Sequence, residues 1–134
     1  MTTTPFGPQL IGETEKTLTA LLRGFLADTG LTEPQWVTLR VAQLCVPTGT
    51  EELVSAVADR AHFPDASELV AALTQRGLVA GGRLTPAGEG TITSVLAASE
   101  RATGGIWRDH ATPDVEATTR VLNAVLARAR ALLT

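Results

Sequence analysis

The chain contains no tyrosine, a single cysteine and only 4% aromatic residues in 134. One thiol, Cys45, excludes an internal disulfide framework and points to a reducing compartment. No run of eighteen apolar residues occurs, so no membrane span is expected. Positive charge is also short: eleven Lys and Arg stand against fourteen Asp and Glu, for a net of −3. That balance excludes a polybasic nucleic-acid binder acting by charge alone. The opening Met1-Thr2-Thr3-Thr4-Pro5 lacks the basic stretch and apolar core of a secretory signal. A soluble, cytoplasmic globular protein is the expectation.

Chemical signatures are equally sparse. There is no nucleophile elbow, no phosphate-binding glycine loop and no Cys/His spacing of zinc type. His62 reads as a turn residue, and His110 as a helix end where its ring interacts with the C-terminal dipole. The expectation is a protein that is not an enzyme and carries neither metal nor cofactor.

What is present is helical periodicity in a chain that is 44% hydrophobic. Leu10, Ile11, Leu18, Leu21, Leu22, Phe25 and Leu26 keep mostly to three- and four-residue steps, predicting a first helix closed by Gly30. Thr32-Glu33-Pro34-Gln35 is a capping-box start for a second helix, apolar almost all round from Trp36 to Val46 and expected in the interior, Cys45 with it. Thr50 is expected to cap a third helix, with Leu53, Val54, Val57 and Ala61 inward. Asp65 and Glu68 predict another capping box before a fourth, with Ala66, Leu69, Val70 and Leu73 inward. Gly81-Gly82 is the turn of a minimal hairpin between Leu78-Val79-Ala80 and Arg83-Leu84-Thr85. Thr85-Pro86 opens a fifth helix with an expected kink near Gly104, and Thr112-Pro113-Asp114 is expected to cap a sixth. The first eight or so residues read as loose.

Three helices, a hairpin and a further helix are the element order of a winged helix-turn-helix. The fold class is therefore mainly α with a small β-hairpin: a winged helix-turn-helix over 31–90, with terminal helices 8–30 and 91–134 forming a dimerisation lobe within one domain. The terminal stripes are wider than one small domain can cover. Leu18, Leu22, Val115, Leu122, Val125, Leu126 and Ala129 are the expected dimer contacts, and the simplest second body is another copy of the chain.

At this level of detail the chain resembles the MarR family of bacterial transcriptional regulators. Leu31-Thr32-Glu33-Pro34-Gln35-Trp36-Val37-Thr38-Leu39-Arg40 is similar to the family's second helix. Leu73-Thr74-Gln75-Arg76-Gly77-Leu78-Val79 resembles the end of its recognition helix, and Arg83-Leu84-Thr85-Pro86-Ala87-Gly88 its passage out of the wing. The resemblance implies a homodimer, double-stranded DNA as partner and a small aromatic or anionic effector between the lobes. On that reading Thr50, Ser67, Glu68, Gln75, Arg76 and Arg83 are the DNA-binding candidates. Ser67 would meet phosphate, Gln75 an adenine edge, Glu68 a cytosine amino group, and Arg76 and Arg83 phosphate or minor groove. Trp36, Arg40, Trp107 and Arg108 would line the effector cleft, although both tryptophans also fit as core anchors. Family members that sense peroxides use tyrosine-activated cysteines, so Cys45 reads as a structural thiol.

Two features depart from the family pattern. The wing shrinks to Gly81-Gly82 with Arg83 as its one basic residue, and the outward face of the recognition helix has no Lys or Arg. Residues 31–90 hold four basic residues (Arg40, Arg60, Arg76, Arg83) against seven acidic ones. The alternative is a winged-helix scaffold with weak or lost DNA binding, acting as a small-molecule-binding or protein-interaction dimer.

Overall fold

In the computed structural model, residues 2–134 are described; Met1 lies outside them. The element order is α1 (Pro8–Leu26), α2 (Glu33–Cys45), α3 (Thr50–Ala61), α4 (Ala66–Gln75), β1 (Val79–Ala80), β2 (Arg83–Leu84), α5 (Pro86–Arg108) and α6 (Thr112–Leu132). The chain is thus mainly α with one small antiparallel hairpin among the described residues. No described helix is long and apolar enough to cross a membrane.

Local chemistry sets the start of α2 as expected. The Thr32 hydroxyl accepts from the Gln35 N–H at 3.3 Å, and Gln35 Oε1 accepts from the Thr32 N–H at 3.1 Å. This reciprocal pair satisfies two donors that a helix start otherwise leaves open. Trp36, Thr38, Leu39, Val41 and Ala42 are buried. The buried Thr38 hydroxyl donates to the Pro34 carbonyl at 2.9 Å, so it enters the core satisfied. Burial does not extend all round, however. Leu44 and Val46 are exposed at the far end, and Cys45 is half-buried against the core rather than enclosed.

The other starts differ from expectation. Gly49, in extended backbone, occupies the cap of α3, which puts Thr50 already inside the helix. Asp65 holds the cap position of α4 with φ −101° and ψ 30°, outside the extended geometry that directs a capping side chain inward, and no box with Glu68 forms. Ala111 likewise precedes α6, with Thr112 its first helical residue and no side chain capping it. Gly104 and Gly105 do not interrupt α5, because glycine keeps both backbone groups. The Asp109 N–H still reaches the Gly105 carbonyl at 3.1 Å. His110 does take the expected place at the helix end, its Nε2 bonded to the Ile106 carbonyl at 2.8 Å.

The inward stripes of α2, α3 and α4 meet in one core. Leu39, Leu53 and Leu73 are fully buried there, with Val57, Val70, Val79 and Ile92. Ala66, Leu69, Val70 and Leu73 form the buried face of α4, as their spacing predicts. The helix ends on Gly77 at φ +76°, where the Gly77 N–H bonds to the Thr74 carbonyl and the Leu78 N–H to that of Leu73. This paired closure turns Leu78 back into the core beside Leu73.

Val79 pairs with Leu84 and Ala80 with Arg83, around Gly81 and Gly82 at φ +59° and +79°. Gly82 has a second reason to lack a side chain: a Cβ there would overlap the Gly49 carbonyl, so the hairpin tip lies against the α2–α3 turn. Thr85 locks the other end. Its hydroxyl donates to the Gly77 carbonyl at 2.6 Å and accepts from the Gly88 N–H at 3.1 Å.

By its contacts the chain divides into two compact units, Met1–Ser99 and Glu100–Thr134. The first unit includes α1, whose Leu26 is buried and whose Leu22 and Phe25 pack on the core of its own chain. Leu22 is therefore already engaged within the chain, and Leu18 is half-buried. In the second unit, α6 has no buried residue.

Two substitutions separate the roles of the hairpin glycines. G81A, at a site with open space, is expected to cost about 1 kcal/mol from its positive φ alone. G82A must also displace backbone and is expected to lose about 2–3 kcal/mol. Urea unfolding of the two variants checks this; equal midpoints would mean the tip does not bear on the α2–α3 turn.

Candidate nucleic-acid interface

The face of α4 opposite its buried stripe carries the candidate contacts. Ser67, Glu68, Ala71 and Gln75 are all exposed, and Glu68, Ala71 and Gln75 recur at three- and four-residue steps on one side. Burial of Leu69, Val70 and Leu73 fixes which side this is, since one helix cannot turn without exposing them. Arg83 is exposed on β2, opposite Ala80, and Thr50 is exposed in the first turn of α3.

Arg76 is exposed and also makes a contact within its own chain. Its guanidinium donates to the Thr29 carbonyl at 2.8 Å and so ties the end of α4 to the α1–α2 turn. A guanidinium has five donors, so one bond leaves others open, but its direction is set by this tether. No sequence pattern signals a bond across 47 residues.

The N-terminal end of α3 supplies an arrangement that sequence spacing missed. Glu52 accepts from both the Thr48 hydroxyl and the Thr48 N–H, the latter at 3.0 Å, across the turn that receives the hairpin tip. The Thr48 hydroxyl bond chiefly, and its N–H bond next, hold the Glu52 carboxyl below its ordinary value against a small opposing effect of burial. The favourable position of Glu51 and Glu52 at the positive helix end was legible; the reach back past the cap was not.

The four effector candidates fall two in each unit, Trp36 and Arg40 in the first and Trp107 and Arg108 in the second. Trp36 is only 7% exposed and belongs to the core, in keeping with its reading as a core anchor. Arg40 bonds to Gln43 one turn along its own helix. Trp107, by contrast, is 60% exposed and is not a core anchor, and Arg108 pairs with Glu100 on the same helix. Within the first unit an open depression of about 650 Å³ lies where α1 passes into α2, lined by Arg23, Leu26, Leu31 and Glu33 among others. None of the four candidates lines it.

Among the described residues no group of three His, Cys, Asp or Glu side chains is arranged to hold a metal ion. No family model, curated protein or solved structure matches the chain.

The Glu52 tether has a pH signature. Its folded carboxyl titrates below the unfolded one, so the stabilisation is present above the unfolded value and is lost as pH falls through the lower, folded one. The difference in thermal midpoint between wild type and E52Q should therefore be constant near neutrality and shrink on acidification. A difference that grows as pH falls would contradict the assignment.

Proposed function

We propose that residues 31–90 are a winged helix-turn-helix and that the chain is a dimeric, ligand-responsive DNA-binding regulator of transcription, acting as a repressor. The observation that carries the reading is the one-sided burial of α4. A short helix is held by Ala66, Val70 and Leu73 on a three-helix core, offers Ser67, Glu68 and Gln75 to solvent, and is followed at once by a hairpin. In the proposed mechanism two such helices, one from each copy, enter successive major grooves of a pseudo-palindromic site. Gln75 reads a base edge, while Ser67 and Arg83 meet the backbone. An anionic or aromatic effector near Trp107 and Arg108 would favour a dimer with misspaced reading helices and lower DNA affinity by its preference for that state.

Dimerisation is supported by α6. Val115, Leu122, Val125 and Leu126 stand 39–44% exposed on a helix with nothing buried. A helix with such a stripe needs a second surface. Sedimentation at micromolar concentration should give twice the chain mass; a folded monomer would refute the dimer.

A second reading has its own observation. The outward face of α4 is acidic at Glu68 and carries no Lys or Arg, and Arg76 at the helix end is tethered to Thr29. A scaffold that binds a protein or small molecule instead of DNA follows from it.

Fluorescence polarisation with mixed genomic fragments at low salt decides between them. On the DNA reading few phosphates are neutralised, so log affinity should fall against log salt with a slope on the order of −3 to −5 per dimer. R83A should weaken all sequences alike, and Q75A should cost about 1–3 kcal/mol of discrimination at one base position per half-site. E68Q should raise non-specific affinity with little change in stability, since no capping bond to Asp65 is lost. Absence of any shift from protein shown to be dimeric would favour the second reading.

A further inference from the structure

The charges of α6 are antisymmetric about Leu122. Asp114 and Glu116 precede it by eight and six residues, and Arg130 and Arg128 follow it by eight and six. Arg120, the other charged residue of the helix, is two positions from Leu122 and so about 200° round the axis, on the outer side. Val115, Leu122 and Ala129 recur at steps of seven on the apolar side, with Val125 between the last two. All of these residues are exposed. The acidic pair lies at the positive end of the helix dipole and the basic pair at the negative end, so each pair also suits its own helix.

We propose that α6 pairs antiparallel with α6 of a second copy of this chain, with the two-fold axis passing at Leu122. The inference rests on the dimeric reading given above and adds its register and direction. About that axis Asp114 lies on the same flank as the partner's Arg128, and Glu116 on the same flank as the partner's Arg130, each within about 3 Å of level, giving four opposite-charge matches per dimer. Leu122 meets its own symmetry mate, and Val115 stands level with the partner's Ala129, large against small. A parallel pairing in register would instead set acid against acid at one end and arginine against arginine at the other. A shift by one helical turn either way would keep two of these matches near level and lose the other two. Exposed ion pairs contribute little singly, but like charges at the same places are repulsive, so the pattern acts mainly by excluding other registers.

The test uses the full chain with its native thiol removed by C45A. In that background L122C should form a covalent dimer on oxidation, because the axis brings the two thiols together. V115C should not, because its two copies would be about 20 Å apart along the pair. Cross-linking of both variants would mean a parallel pair and would overturn the proposal. Failure of L122C to cross-link in protein that sediments as a dimer would overturn the α6 pairing while leaving the dimer intact. A monomeric parent would remove the dimeric reading itself and the proposal with it.

Charge variants test the register separately. D114R/E116R and R128E/R130E should each raise the dimer dissociation constant at least about tenfold at low salt, and the effect should fade as salt is added. An equimolar mixture of the two should recover dimers, since one chain is then basic at both ends and the other acidic at both. Circular dichroism confirms that each variant keeps its helices. Unchanged dissociation constants in folded variants would overturn the ionic register.

Discussion

Leu39, Leu53 and Leu73, one from each of three helices, exclude water completely from a common centre. Almost everything describable about the first unit follows from keeping that centre dry. Each helix must turn its apolar stripe inward, so the opposite face of α4 is compelled to carry Ser67, Glu68 and Gln75 outward. The Gly77 closure then returns Leu78 and Val79 to the same core, and this return starts the hairpin. Removing a buried leucine from such a centre typically costs about 2–5 kcal/mol, a large part of the stability of a small domain.

The hairpin is short, but it is held at both ends. Its tip meets the α2–α3 turn through Gly82 and Gly49, and its base is bridged by the Thr85 hydroxyl between Gly77 and Gly88. The same α2–α3 turn is fastened by Glu52 to Thr48. Arg83 is therefore displayed from a fixed platform rather than from a long mobile arm.

The second unit poses the opposite problem. Where α2 to α4 satisfy their apolar faces within the chain, α6 satisfies none of its own. Its apolar stripe lies exposed along the same helix as its graded charges.

The sequence by itself determined the elements. Three- and four-residue periodicity located the inward residues of α4 without error, Thr32 and Gln35 specified the start of α2, and Gly81-Gly82 specified the hairpin. These signals are local: each rests on groups within a few residues, whose geometry the backbone alone dictates. Only the tertiary structure decided which locally plausible bonds form. Thr50 and Asp65 have the chemistry of caps, but Thr50 lies already inside α3 behind Gly49, and Asp65 at the start of α4 has neither extended backbone nor a capping bond. Arg76 was legible as an exposed cation, yet its tether to Thr29 depends on two turns meeting from distant parts of the chain. Trp36 and Trp107 look alike in sequence, and packing buried one and exposed the other. Side-chain type and spacing fix a helix and its faces; long-range contact, which no local pattern encodes, decides what each face meets.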